Sequence, residues 1–368
     1  MEVEKKGRIV ALDLIRGYFL FVILIDHLGR FFGFWEVFTG RGAQWVSAAE
    51  GFFFVSGIMI GLVRGRKMSS RPIKDIIEKC WSRAITLYFW AVGLSLFFSL
   101  VALKLPELKG LKAGIYNGGN NLSLVKDTFS LYFSYGWADF LRYYAVYLFF
   151  APVAIWLLRR RLWWLILAIS LGVWLGTESM LTSWQILFFS GMLFGYYQQQ
   201  IWEAFSNLKL SVRTWLRRII FCGALITLSL SVWFTTIAEE YGKASGKKFL
   251  SLDLSAARSY SIETLRSVFD KTSLAPARLV LFYLWFTALY LLVRKHEDFL
   301  ERKVGWLLIT LGQNSLYVYI IHSVILFLLN LIIPGGLIWP LNILISTSFV
   351  GLIWWLTKKR FLFRIVPR

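Results

Sequence analysis

The chain has 368 residues, 57% of them hydrophobic, 18% aromatic and only 17% charged, with a mean hydropathy of +0.60. A water-soluble protein of this length needs more charge to cover its surface, so the composition excludes an ordinary soluble domain and points to an integral membrane protein. The formal charge of +20 does not signal nucleic acid. Its lysines and arginines lie between apolar runs, where they orient a membrane protein and meet anionic lipid headgroups.

In chain order, the short basic stretch Met1 to Arg8 leads into an apolar run with no small-residue cleavage site, and is expected to precede a retained first span rather than to act as a signal peptide. At about 20 apolar residues per crossing, ten spans are expected, at 9–29, 45–63, 84–103, 139–158, 162–178, 184–200, 216–236, 277–293, 304–329 and 338–357. The expected fold is therefore all-α and polytopic, one membrane-embedded domain over 1–368. Alternate connecting segments hold most of the 41 basic residues, which predicts that both termini are cytoplasmic. Two long polar segments, 104–138 and 237–276, fall on the opposite side. They carry the clusters NGGNN (Asn117–Asn121) and YGKASGKKF (Tyr241–Phe249), and read as covers over an outward-facing site or as plain connectors. Cys80 and Cys222 form no CxxC pair and read as inert packing residues.

The first span, ALDLIRGYFLFVILIDHLGR, carries more than apolar residues. Arg16 and His27 lie eleven positions apart, which places them within about 20° of one another on one helical face and about 16 Å apart along the axis. Asp13 lies about 40° from His27 on the same stripe, and Asp26 precedes His27 directly. Ionisable groups within a span are costly and mark function by default.

The second span, SAAEGFFFVSGIMIG, brings Glu50 to the level of His27. Its Gly57 and Gly61 form a GxxxG, a weak sign of close helix packing. The same depth argument adds Asp139 and Arg142 in the fourth span, Glu178 closing the fifth, Gln185 in the sixth and Arg278 in the eighth. It also adds His322 in the ninth, on a face with Ser315 and Tyr319. Polar groups from so many spans at one outer level point to a binding or reaction site. Plainer readings stand beside this one. Arg142 pairs with Asp139 at a helix start, Glu178 and Arg278 sit at the interface, and His322 is a hydrogen-bonded bundle histidine. His296, in RKHED, reads as a solvated loop residue.

The spacing Arg16-x10-His27 resembles the signature of the acyltransferase-3 superfamily of membrane acyltransferases. The text LDLIRGYFLFVILIDH followed by AAEGFFFVSGIMIG is closer still to the OpgC family, succinyltransferases of osmoregulated periplasmic glucans. YYAVYLFFAPVAIWLLRR, SWQILFFSGMLFGY and LGQNSLYVYIIHS agree in order. The resemblance implies a multi-pass O-acyltransferase of a prokaryotic inner membrane. Such an enzyme moves a succinyl or acetyl group from cytoplasmic acyl-CoA to a hydroxyl of an extracytoplasmic glycan or glycolipid. Acyl-CoA (succinyl-CoA or acetyl-CoA) is then a substrate, with no permanent cofactor and no metal. Arg16 and His27 match the signature, and Asp26 and Glu50 match the acid positions of the OpgC-like blocks.

Acyl transfer needs a base to take the hydroxyl proton, and imidazole titrates near neutrality, so His27 is the candidate base. Glu50, from a facing helix, is the candidate to orient it by triad logic. Asp26 lies about 100° around the helix and is left to bind the acceptor or another basic group. Arg16, with Arg64 and Arg83, is expected to hold CoA phosphates through paired hydrogen bonds. Arg142, Gln185, Arg278 and His322 are expected to contact the acceptor. With the sequence ending at Arg368, substrate choice is expected to rest on the spans and their loops. The rival reading is a transporter or flippase for a glycolipid or polyol, with no acyl chemistry.

Overall fold

In lipid every backbone N–H and C=O must find an internal partner, so apolar runs of this length fold as helices. A computed structural model describes residues 9–29, 31, 34–42, 44–105, 108, 111, 116–237, 265, 267–333 and 337–367, and these are helical with no strand. The basic stretch 1–8, the cluster 241–249 and Arg368 lie outside the described residues. The main helices are α1 (Val10–His27), α2 (Ala48–Ile60), α3 (Ile73–Lys104), α4 (Asn121–Phe129), α5 (Asp139–Arg159) and α6 (Trp163–Leu175). They continue as α7 (Gln185–Ser206), α8 (Leu210–Val232), α9 (Pro276–Lys295), α10 (Glu297–Gln313), α11 (Ser315–Ile332) and α12 (Trp339–Lys358).

Among the described residues seven helices are long and apolar enough to cross a membrane: α2 with its π-helical extension to Arg66, α3, α5, α8 with its extension to Thr235, α9, α11 and α12. The expected list of ten changes in specific places. The span expected at 304–329 is two helices, because Asn314 leaves the helical region at φ −111° and ψ 32° and its side chain donates to the Thr310 carbonyl at 3.0 Å. A short polar side chain competing for backbone groups breaks a helix in this way. Helix α6 has 13 residues, too few to cross alone. Helix α3 has 32 residues and begins eleven residues before the expected 84. Its first turns are charged, so no apolar run announced them. Helix α1 has 18 residues and carries Asp13, Arg16 and Asp26 within them.

The chain falls into two compact units, each assembled from separate stretches. The first comprises Met1–Thr39, Val63–Arg161 and Glu301–Arg368, and the second Gly40–Leu62 and Leu162–Leu300. In the first unit α3 lies along α5, where Trp81 stacks on Phe149 with ring centres 5.3 Å apart and donates to the Phe149 carbonyl at 3.0 Å. Phe98 of α3 stacks on Phe327 of α11 at 4.4 Å. Helix α1 packs against α11 and α12. It also crosses α10 backbone to backbone, with Gly17 seated on the Leu308 carbonyl and Gly312 on the Asp13 carbonyl.

The second unit centres on the crossing of α2 and α7. Two GxxxG patterns face one another there. A side chain at Gly57 or Gly61 would collide with the Phe188 or Met192 carbonyl, and one at Gly191 or Gly195 with the Phe54 or Ile58 carbonyl. Small residues let membrane helices meet this closely and gain dispersion contact that lipid alone does not replace. Phe54 then meets the edges of Phe282 and Phe286 of α9 at 5.3 Å and 4.6 Å. Helix α8 packs on α9, yet only 6% of its apolar window is buried. The exposed Ile219 and Leu225 present its apolar surface outward, as lipid favours. Cys222 is exposed on this helix while Cys80 is buried, so the expectation that both are packing residues holds for Cys80 alone.

Candidate active site

In the first unit α1 delivers Arg16 and His27 at separate ends of one stripe, and each finds company. His27 Nδ1 lies 2.9 Å from His322 Nε2, with ring centres 5.0 Å apart. His322 is fully buried, and its Nδ1 lies 3.0 Å from the carbonyl of Tyr319 one turn earlier on α11. Ser323 donates to the Trp137 carbonyl at 2.6 Å, and Tyr319 donates its hydroxyl to Asp139 at 3.3 Å. These contacts fix α11 against the start of α5. Asp26 accepts a hydrogen bond from the Thr39 hydroxyl.

Toward the other end of α1, Arg16 lies within electrostatic reach of Tyr144, Arg83 and Asp13. Asp13 also accepts from Gln313 at 3.4 Å. Arg83 lines a cleft of about 350 Å³ together with Arg64, Glu78, Lys79, Ser82, Thr86 and Pro367. Residues 78, 79, 82, 83 and 86 recur at the three- and four-residue spacing of one helical face. That periodicity was present in the sequence and is the signal that would have added Lys79 to Arg64 and Arg83. Three cations and one carboxylate line this wall, and guanidinium and ammonium donors are the groups that can hold phosphate through charge-assisted hydrogen bonds.

The second unit holds Glu50, Arg278 and Gln185. Glu50 is fully buried and forms an ion pair with Arg278 Nε. It also accepts from the Ser47 amide, its carboxylate reaching back over the first turn of α2 as in half a capping box. Arg278 donates Nη1 to the Phe269 carbonyl at 3.1 Å, and its Nη2 has no hydrogen-bond partner among the described residues. Beside this pair Trp45 stacks on Phe269 with ring centres 4.3 Å apart. Gln185 forms a two-bond clasp with Ser170: it accepts from the Ser170 hydroxyl and donates to the Ser170 carbonyl at 2.7 Å. Outside the span, Asp270 caps the approach to α9. Burial raises its carboxyl, but hydrogen bonds from Ser273 and Thr272 and the charge of Arg278 outweigh that and hold it below the ordinary aspartate range.

The structure thus brings His27 together with His322, Arg64 with Arg83, and Glu50 with Arg278. The histidine's ring neighbour is His322, and Glu50 is engaged by Arg278. Arg142, expected to pair with Asp139 at the helix start, directs its Nη1 hydrogen bonds to the turn before α5. Its Nη1 donates to the Leu131 and Tyr132 carbonyls at 3.1 and 3.0 Å, and its Nη2 to Tyr143 at 2.9 Å. It braces a turn in which Leu131 sits at φ 59°, a strained value for a side-chain-bearing residue. His296 is exposed at the end of α9, as expected of a solvated histidine.

The OpgC protein family model matches residues 8–361, nearly the whole chain. Among curated proteins and solved structures nothing matches it. A family match of that extent, over a chain of long apolar helices, makes this protein a member of the OpgC family, an acyltransferase-type enzyme of the membrane.

Proposed function

We propose that the protein moves an acyl group, succinyl or acetyl, from cytoplasmic acyl-CoA to a hydroxyl of an extracytoplasmic glycan or glycolipid, as a multi-pass enzyme of a prokaryotic inner membrane. The observation that carries this reading is the layout of α1. One helix holds an arginine within electrostatic reach of Arg83, which lines the cleft, and, eleven residues on, a histidine paired with a buried imidazole. That separation is about 16 Å along a helix, comparable with an extended pantetheine arm. The nucleotide phosphates then rest on Arg16, Arg64, Arg83 and Lys79 while the thioester reaches His27.

His27 takes the proton of the acceptor hydroxyl as its oxygen attacks the thioester carbonyl. The C–O bond forms, the C–S bond breaks, and the CoA thiolate recovers the proton from the imidazolium, so the products are an ester and free CoA. Asp26, one residue before the base on the same helix, is assigned to the acceptor side. The positive bias of alternate segments supports cytoplasmic termini, and the histidine signature supports membership of the acyltransferase-3 superfamily.

The test uses the purified protein in proteoliposomes with acyl-CoA and a glucan acceptor. Release of free CoA thiol, and a mass increment on the glucan that names the acyl group, are the expected results. Glucan translocation without thiol release identifies a transporter instead and overturns the proposal.

A further inference from the structure

The hydrogen bonds around His322 determine which nitrogen of His27 is basic. The Tyr319 carbonyl can only accept, so His322 Nδ1, 3.0 Å away, carries the proton. The Ser323 hydroxyl, 3.4 Å from the same nitrogen, does not change this, because its own proton is directed to the Trp137 carbonyl at 2.6 Å. A neutral imidazole has one N–H and one lone pair. His322 Nε2 is therefore an acceptor, and His27 Nδ1, at 2.9 Å, is the donor to it. The neutral His27 ring then holds its lone pair at Nε2. This chain starts from a backbone carbonyl one turn back on the same helix, so it does not wait for a substrate to form.

From this we infer that His322 is a positioning residue for His27. It fixes the Nδ1–H tautomer and makes Nε2 the atom that accepts the proton. The inference rests on the reading of His27 as the base, and it gives a role to a histidine that sequence reasoning placed against the acceptor. When His27 gains a proton, its Nδ1–H bond to His322 becomes charge-assisted, which roughly doubles the strength of such a bond. The pair therefore stabilises the imidazolium as well as choosing the tautomer. A carboxylate usually fills this post in a triad, where loss of the correct tautomer is among the costliest changes.

The chain contains three histidines, so nitrogen-15 spectra of ring-labelled protein in nanodiscs, assigned with His296→Gln and His322→Gln, resolve each ring. The expected result is His27 protonated at Nδ1 and unprotonated at Nε2. His322→Gln places an amide oxygen where Nε2 was; it is expected to keep that tautomer and most of the turnover. His322→Phe is expected to lose the tautomer preference and about 10- to 100-fold in kcat, with KM for acyl-CoA unchanged. A proton on His27 Nε2 in the unsubstituted protein overturns the inference. So does full turnover by His322→Phe with the tautomer preserved. An active His27→Ala protein with the spectrum as expected overturns the reading of His27 as base instead, so the two failures are distinguishable.

Discussion

In the first unit the buried polar groups end in two hydrogen-bonded imidazoles, and in a cleft lined by three cations and Glu78. In the second they close on one another: a carboxylate against a guanidinium, an amide clasping a serine, and glycines locking two helices. The first arrangement sets one imidazole against another and cations around a cavity. The second matches charges so that they can stay out of water at all. Cost alone does not identify chemistry in a membrane helix. The kind of partner does.

The comparison breaks most easily at His27. Alanine there is expected to lower kcat about 10²- to 10⁴-fold, the usual contribution of a positioned base, with thermal melting unchanged. Unaltered turnover would collapse the contrast between the units. The second unit answers in stability. Glu50→Gln leaves Arg278 charged and buried, and should cost about 3–5 kcal/mol, read as a lower melting temperature in detergent. The double change Glu50→Leu with Arg278→Met should recover much of that loss, since apolar pairs of similar size often replace buried ion pairs at little cost. If Glu50→Gln instead lowers kcat while leaving the melting temperature alone, Glu50 belongs with the chemistry.

Smaller effects sharpen the picture. Arg64→Ala and Arg83→Ala should each raise KM for acyl-CoA about tenfold, the equivalent of one lost charge-assisted hydrogen bond, with kcat nearly unchanged in steady-state assays. The smallest concerns pH. A carboxyl whose folded value is depressed contributes stability above its unfolded value and loses it as pH falls through the folded one. The Asp270 contribution should thus be complete at neutrality and fade below its ordinary value of 3.8. Asp270→Asn should remove that acid-side slope from melting curves.

Apolar runs marked most of the long helices in the sequence, because hydrocarbon thickness sets their length and backbone pairing sets their form. The break at Asn314 was not legible, since LGQNSLYVYIIHS continues the apolar pattern across it. The early start of α3 was hidden by charge. For the site, the sequence supplied the parts, including both histidines, Glu50 and Arg278, at one expected depth. It could not pair them. His27 and His322 are 295 residues apart, and Glu50 and Arg278 are 228 apart, and partner choice depends on how each helix is rotated about its axis. That rotation comes from contacts such as Gly17 on Leu308, which a single sequence does not encode in any local pattern.

The double glycine crossing of α2 and α7 has a mechanical consequence. Each helix is notched into the carbonyls of the other at two successive turns, so neither can slide by a turn or roll without lifting clear of its partner. Whatever rearrangement the second unit undergoes must carry the two as one beam, with Glu50 and Gln185 fixed to it like marks on a ruler.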